Sequence, residues 1–454
     1  MTIRKTKIDK SKLLFSNKDL ATLLIPLGIE QFLTALVGIV ITIMVAHVGE
    51  VAVSGVALVD TVIFLFMWAL IALTTGGAVI AGQYLGQKNI EKGCEATDQM
   101  VWFTTFIGIG LMLLMYASRG FIVNVIFGAA DQEVRAHANI FFIYVTASIP
   151  FIALYNAGAA IFRTMGNSKL PMLVSLIMNV INITAGYLFI FVLNMGTQGA
   201  GLAVLISRIV SAIIIITYLC KGNQQLSLSP TLRYRPDWQM VKRVLKIGVP
   251  NGLENSLFQL GKILLISLIA SFGTYSIAAN AVGMSIAIFQ MLPGLAASTG
   301  ITTVIARCVG AGDYEQAEYY TKKIILIAMV SLAVINGFIL LFISDLLGLY
   351  NLSYETHRIA TEILVFHGIA CIVIWPLSFI LPGTLRAAGD VKVVMVISLT
   401  TMWVVRIGFS YLLGDFFSMG LLGIWVAMVI DQSVRSICFI VRYKAGRWKL
   451  IKSI

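Results

Sequence analysis

The sequence predicts an all-α membrane protein with twelve transmembrane helices in two pseudosymmetric six-helix bundles. Three observations carry this reading: an apolar composition, basic residues gathered on alternate loops, and a chain that repeats itself after about half its length. Of 454 residues, 59% are hydrophobic and 12% charged, with a mean hydropathy of +0.92. Soluble domains run at roughly 45–50% apolar and about 25% charged. The net charge of +12 does not point to nucleic acid, because the Lys and Arg residues stand in short loops and at the termini between long apolar runs. Cys94, Cys220, Cys308, Cys371 and Cys438 are widely spaced, without a C-x-x-C or a neighbouring His. A zinc site, a redox dithiol and a disulfide framework are therefore not expected, and the cysteines read as small buried apolar residues.

A hydrocarbon core about 30 Å thick needs about 20 apolar residues per helix. Hydropathy, punctuated by Gly, Pro and charge, gives spans near 20–47, 52–82, 98–118, 136–162, 171–194 and 199–220. A second set follows near 245–271, 276–306, 320–344, 359–385, 393–414 and 420–441. The spans at 52–82 and 276–306 exceed the bilayer thickness and should tilt or project into the cytoplasm. The first run follows a basic N-terminus but is too long for a signal-peptide core and contains Glu30, so it reads as a retained helix.

Counting Lys and Arg loop by loop assigns 26 to one side of the membrane and three, Arg119, Arg135 and Arg358, to the other. Positive side chains resist translocation, so both termini are expected in the cytoplasm, which an even number of spans allows. The expected organisation is a basic N-terminus 1–19, bundles at 20–220 and 245–441, a cytoplasmic linker 221–244 containing Pro230 and Pro236, and a basic C-terminus 442–454. The basic termini are expected to lie against membrane lipid.

Shifted by 224 residues, the chain matches itself. Pro26-Leu27-Gly28-Ile29-Glu30 falls on Pro250-Asn251-Gly252-Leu253-Glu254, and Thr75-Gly76 on Thr299-Gly300. Gly49, Gly86 and Glu91 pair with Gly273, Gly310 and Glu315; at an offset of 223, Arg163, Gly166 and Lys169 pair with Arg386, Gly389 and Lys392. Six helices per repeat keep the two copies parallel about an axis along the membrane normal. That is transporter architecture, with a cavity expected between the bundles near the midplane. With no P-loop in the sequence, neither ATP-driven transport nor an enzymatic activity is expected, no cofactor is called for, and the energy should come from an ion gradient.

Several runs then resemble one family. Gly-Gln-Tyr-Leu-Gly-Gln-Lys-Asn at 82–89, its copy Val-Gly-Ala-Gly-Asp-Tyr-Glu-Gln-Ala at 309–317, and Leu-Arg-Ala-Ala-Gly-Asp at 385–390, set within twelve spans, resemble the multidrug and toxic compound extrusion (MATE) transporters. The resemblance implies a V-shaped pair of lobes that export varied, mostly cationic organic compounds in exchange for H⁺ or Na⁺. The chain also departs from the family. Many bacterial members carry an Asp fifteen residues after the first-helix proline, where this chain has Ile41. Another subgroup has an acid eight residues after the seventh-helix proline and one in the tenth helix, where Phe258 and Trp375 stand here. Neither subgroup's coupling site carries over. Glu30 and Glu254 remain, with the pair Asn179 and Asn182, which resembles an asparagine-rich stretch of the family.

A charge at the centre of a lone membrane helix costs about 2.5–3.5 kcal/mol on insertion scales, so each needs a partner or a cavity. Glu30, Asp60, Glu254 and Asp431, set against Arg208, Lys262, Arg406 and Arg435, permit complete pairing. Asp431 and Arg435, spaced i, i+4, read as a structural pair. Glu30 and Glu254 occupy equivalent positions one turn beyond a proline, where a carboxylate can hold H⁺, Na⁺ or an organic cation, or else bond neighbouring helices. Lys262 has Gly38 as its repeat-mate; it breaks the symmetry and either meets Asp60 or snorkels outward. His367 is either a titrating group or a packing residue. The candidate coupling and substrate residues are thus Glu254, Glu30, Lys262, Asp60, Asn179, Asn182 and His367, with no metal site assigned. The expected function is secondary antiport of small, cationic organic compounds in the cell membrane, by a monomer without nucleic-acid partners. A lipid-linked saccharide flippase, which needs a strongly basic cavity, and a passive channel are the alternatives. Major-facilitator transporters share the two six-helix halves, but Gly86-Gln87-Lys88-Asn89 is a poor match to their loop after the second helix.

Overall fold

The structure, a computed structural model, describes residues 13–128, 130–222, 224–229, 236–350 and 352–451. The expectations for Arg4, Lys5, Lys7, Lys10, Lys12, Pro230, Arg233, Arg235 and Lys452 concern positions outside these. The described residues are helical almost throughout and form no strand. Eleven helices are long and apolar enough to cross a membrane, and one bent pair brings the spans to twelve. They are α1 (Asn17–Ala46), α2 (Glu50–Gly86), α3 (Ile90–Ala117), the bent pair α4 (Gln132–Ala147) and α5 (Ile149–Thr164), α6 (Lys169–Val192) and α7 (Gly196–Cys220). The second half supplies α8 (Trp238–Ser271), α9 (Thr274–Gly310), α10 (Tyr314–Leu341), α11 (Tyr354–Ala387), α12 (Val391–Phe416) and α13 (Gly420–Lys444).

The expected span at 136–162 is the pair that bends, by 44°. Pro150 near the start of α5 has no amide hydrogen and crowds the preceding turn, which opens the helix there. The break is held by Arg208 of α7, whose Nη1 donates to Ser148 Oγ at 2.7 Å. The expected linker is also shorter than 221–244, because α8 begins at Trp238. Its first part folds back on the preceding helices: Leu228 N–H donates to Leu219 O, and Ser229 donates to Asp98 of α3 through its amide and its hydroxyl, at 2.9 and 2.6 Å.

The repeat is written into the backbone. Among the described residues, those with left-handed φ form six pairs: Gly49 and Gly273, Lys88 and Gly312, Gly166 and Gly389, Asn194 and Ser418, Gly196 and Gly420, Gly222 and Gly446. Five pairs are 224 residues apart and one 223. α2, α3 and α7 end on residues that map onto the ends of α9, α10 and α13. Even the caps match: Asn89 accepts from Lys92 N–H, and Asp313 from Gln316 N–H at 2.9 Å. The offset of 223 at Gly166 is restored to 224 by Asn194. Between the partners of these two lies a π-helical stretch, Thr401–Arg406, whose wider turn takes in one extra residue.

The described chain forms two compact units that do not coincide with the sequence halves 20–220 and 245–441. One contains Ile29–Ala81 and Asn89–Ser256; the other contains the residues up to Gly28, Gly82–Lys88 and everything from Leu257 on. Two changeovers lie inside α1 and α8, next to the repeated Pro-x-Gly motifs, and two more at the end of α2 and the turn after it. Small residues permit this exchange. In the first unit Gly76 of α2 admits the backbone of α8, where a Cβ would meet Val244 O at 2.7 Å and Gly248 N at 2.9 Å. In the second, Gly300 of α9 admits Leu24 of α1, at 2.5 Å from such a Cβ. Gly76 and Gly300 are repeat-mates, as are Leu24 and Gly248. Each unit has an apolar core of its own, one around Val59, Phe142 and Ala153 and one around Ile286, Ile363 and Trp425.

Candidate functional site

In the unit that contains Ile29–Ala81, Glu30 is buried on α1, 6% exposed. Its Oε1 accepts from Arg163 Nη2 at 2.6 Å and lies 3.2 Å from the Tyr155 hydroxyl, which is equally close to Pro171 O. The other carboxylate oxygen, Oε2, is buried without a hydrogen-bond partner, as is Arg163 Nε. The sequence count places Arg163 in a cytoplasmic loop; the structure places it in the last turn of α5 with an 18% exposed side chain. A long stem there lets the guanidinium reach inward while its Cα sits near the helix end.

The same unit holds the other acidic candidates. Glu254 is also 6% exposed and engaged in contact with its surroundings. Asp60 is half-buried on α2, and Arg208 is close enough to act on its charge. Asn179 is 7% exposed with Nδ2 unpartnered, whereas Asn182 is half-buried. A buried carboxylate with one oxygen clamped and the other unpartnered keeps an unused acceptor for a proton or a small cation.

The unit that begins at Leu257 is different in polarity. Lys262 lies over the ring of Phe258, one turn earlier on α8, with Nζ 5.3 Å from the centroid. The same ring faces Arg406 at 5.8 Å and Arg435 at 5.0 Å. Arg435 is neutralised as the i, i+4 spacing predicts: its Nη2 donates to both oxygens of Asp431 at 2.9 Å, and its Nε to Thr401 Oγ1 at 3.2 Å. Lys262 and Arg406 have no ion-pair partner among the described residues. The complete pairing allowed by the sequence is therefore not realised: Arg163 has taken Glu30, and Asp60 and Glu254 lie in the other unit. Lys262 is brought against Phe258, and Asp60 belongs to the other unit.

Trp375 stacks on Phe379 at 4.9 Å, and Arg435 lies 5.4 Å from the Phe379 centroid. Of the two aromatics Phe258 and Trp375, the first lies against cations directly and the second is stacked on a ring that does. His367 is 2% exposed, bonded through Nδ1 to Gln290 Oε1 at 2.7 Å and set edge-on against Trp425 at 5.4 Å. That is a packed core position. Sequence reasoning missed Arg163 and Tyr155 as partners of Glu30, and Phe379 as part of the aromatic wall.

Two surface hollows lie elsewhere, one of about 410 Å³ at Ser54, Thr61 and Asp131 and one of about 740 Å³ at His357, Arg358 and Glu362. Neither shares a residue with these groups. The described residues include no cluster of three or more His, Cys, Asp or Glu able to hold a metal, and the five cysteines are unpaired.

Comparison with known proteins bears on both units at once. A family model, MatE, matches residues 26–188 and again 250–412, two segments displaced by the same 224 residues as the internal repeat. The chain is 24% identical over 438 residues to a "Probable multidrug resistance protein NorM" of Thermotoga maritima, covering 95% of this chain and 93% of that one. It is 29% identical over 435 residues to a protein of the same description from Neisseria meningitidis, covering 93% and 92%. It is 26% identical over 455 residues to "Uncharacterized transporter YisQ" of Bacillus subtilis, covering 98% and 97%. Among solved structures, "Crystal structure of MATE in the bent conformation" superposes with a TM-score of 0.87 at 21% identity, over 95% of this chain and 96% of that one. A Pyrococcus furiosus transporter, described as "Reverse polarity of binding pocket suggests different function of a MOP superfamily transporter", superposes at 0.88 with 22% identity, over 96% and 97%.

Proposed function

The chain belongs to the MatE family, and from that premise we propose that it is a secondary active efflux transporter of the cell membrane, exporting small organic compounds in exchange for H⁺ or Na⁺. Both termini face the cytoplasm in this reading, and the protein works as a monomer by alternating access. The observation that carries it is the buried Glu30 carboxylate, held by Arg163 and Tyr155 through one oxygen with the other buried and unpartnered. Glu254 is its repeat-mate and is buried in the same unit.

The chemistry follows from charge balance. A coupling ion that reaches Oε2 neutralises the carboxylate and so weakens its hold on Arg163, because a charge-assisted bond loses much of its strength when the acceptor is neutral. An organic cation competes for the same carboxylate, so ion loading on one side discharges the substrate, and ion release on the other restores the pair. Each ligand shifts the conformational equilibrium only by its difference in affinity for the two states. The MatE relatives described as multidrug resistance proteins support the substrate class.

The second reading, a flippase for lipid-linked saccharides, is favoured by the uncompensated cations Lys262 and Arg406 and disfavoured by Glu30 and Glu254. Purified protein in liposomes loaded with a fluorescent organic cation separates these readings, with the pH and Na⁺ gradients imposed independently. Uphill movement driven by one gradient is expected. Movement that only dissipates the dye gradient indicates a channel, and translocation of a pyrophosphate-linked lipid without dye movement indicates a flippase.

A further inference from the structure

The unit that begins at Leu257 carries more positive charge at the Phe258 ring than its carboxylates balance. Three cations share one ring, and only Arg435 has a carboxylate, from Asp431. Arg406 is 7% exposed, and its Nε is buried without a hydrogen-bond partner. A buried guanidinium with an unsatisfied N–H bears part of the cost of lost hydration, and a neighbouring ammonium adds repulsion. Asp431 is shared between Arg435, which it pairs, and Arg406, whose charge it only reaches at a distance, and no other carboxylate among the described residues pairs with these cations.

Access and surroundings suit an added anionic group. Phe258, Lys262 and Phe379 each keep part of their surface open, while Arg406 and Arg435 are buried behind them. The π-helical turn Thr401–Arg406 ends on Arg406, and Phe379 stands in another, Pro376–Ile380; such turns recur at functional sites because they re-aim a side chain within a helix. The first repeat has nothing comparable: the counterparts of Phe258, Lys262, Asp431 and Arg435 are Thr34, Gly38, Ser207 and Ser211. The charge is a feature of the second repeat alone.

We propose that Lys262 and Arg406, against the aromatic wall of Phe258 and Phe379, bind the carboxylate of a transported aromatic amphiphile, an organic anion or a zwitterion. The two free cations hold the acidic group, the guanidinium through paired N–H donors, and the rings hold the flat apolar body. This rests on the transporter reading and adds to its organic cations a second class of substrate, compounds that carry an acid.

The test is equilibrium binding to the purified full-length protein in detergent, which does not depend on transport. The probes are 2-naphthoate, its uncharged methyl ester and 2-naphthylmethylammonium. Wild type is expected to bind the carboxylate at least about tenfold more tightly than the ester, in about 0.15 M chloride. Lys262→Gln, at a half-exposed position that tolerates the change, should remove most of that preference and leave ester binding unchanged; Arg406→Gln should do the same where it folds. Equal binding of carboxylate and ester, competition between the ammonium probe and the carboxylate for one site with the ammonium the tighter, or an unchanged preference in Lys262→Gln overturns the proposal. So does inorganic pyrophosphate binding in preference to 2-naphthoate, which marks a phosphate site. Carboxylate preference in a protein that moves no compound under any gradient leaves the site standing and refutes the transporter reading instead.

Discussion

Replacing Glu30 by Gln tests the ion pair on which the coupling scheme depends. The pair is 2.6 Å long, with side chains 7% and 18% exposed. Removing one member of a buried pair costs about 3–5 kcal/mol, because the other is left charged and dry. The exposure of Arg163 puts the expected loss at the lower end, about 3 kcal/mol. Arg163→Gln should cost a similar amount, since the Glu30 carboxylate would keep only Tyr155. The double variant should be no less stable than either single one, because two neutral amides leave no unpaired charge. Reversible unfolding by SDS in mixed micelles measures all four proteins, and a coupling energy of at least about 2 kcal/mol is expected. Single variants within about 0.5 kcal/mol of wild type, or losses that simply add in the double variant, would refute the reasoning and make the pair incidental.

Further outcomes concern the scaffold. The ends of α2 and α9 cross in backbone contact: a Cβ at Gly310 overlaps the Gln83 carbonyl and lies 2.6 Å from Gln83 Cα, and one at Gly86 lies 2.9 Å from Ala311 N. Gly310→Ala and Gly86→Ala should each cost about 1–3 kcal/mol or more in the same unfolding assay, whereas Gly110→Ala, with nothing within 4 Å, should be neutral or stabilising by up to about 1 kcal/mol. Lys88 has φ 60° where its repeat-mate is Gly312, so Lys88→Gly should stabilise by about 1 kcal/mol. His367→Leu should cost about 1–3 kcal/mol by stranding Gln290 while leaving dye efflux per folded molecule unchanged. Single cysteines placed at 224–229 should resist an impermeant thiol reagent added outside intact cells and react once the membrane is opened.

The twelve spans were legible because burial in lipid imposes a length and an apolar composition that no tertiary contact overrides. The repeat was legible because the same backbone turns are needed twice, and Pro26, Gly28 and Glu30 carry the mark of it. Other features left no such mark. Pro150 stood in plain view, but a proline in a membrane helix specifies neither the size of a bend nor Arg208 as the side chain that holds it. The π-helical turn at Thr401–Arg406 has no local composition of its own and showed only as a one-residue change of offset. Arg163 was misplaced because a cation near a helix end, three residues before a glycine, looks like a loop residue whether its side chain turns to water or inward. With Glu30 held by Arg163, Asp431 by Arg435, and Asp60 and Glu254 in the other unit, Lys262 and Arg406 are left over. That surplus was invisible to a count that balanced four acids against four bases.

The central claim is that buried carboxylates couple an ion gradient to substrate movement. Proteoliposomes containing wild type and the double variant Glu30→Gln, Glu254→Gln, matched for inserted protein, test it most directly through accumulation of a fluorescent organic cation against its own gradient. Wild type is predicted to accumulate the dye several-fold under an imposed pH or Na⁺ gradient, and the double variant to reach no more than equilibrium. Accumulation by the double variant at the wild-type rate, with the same dependence on both ions, would contradict the account.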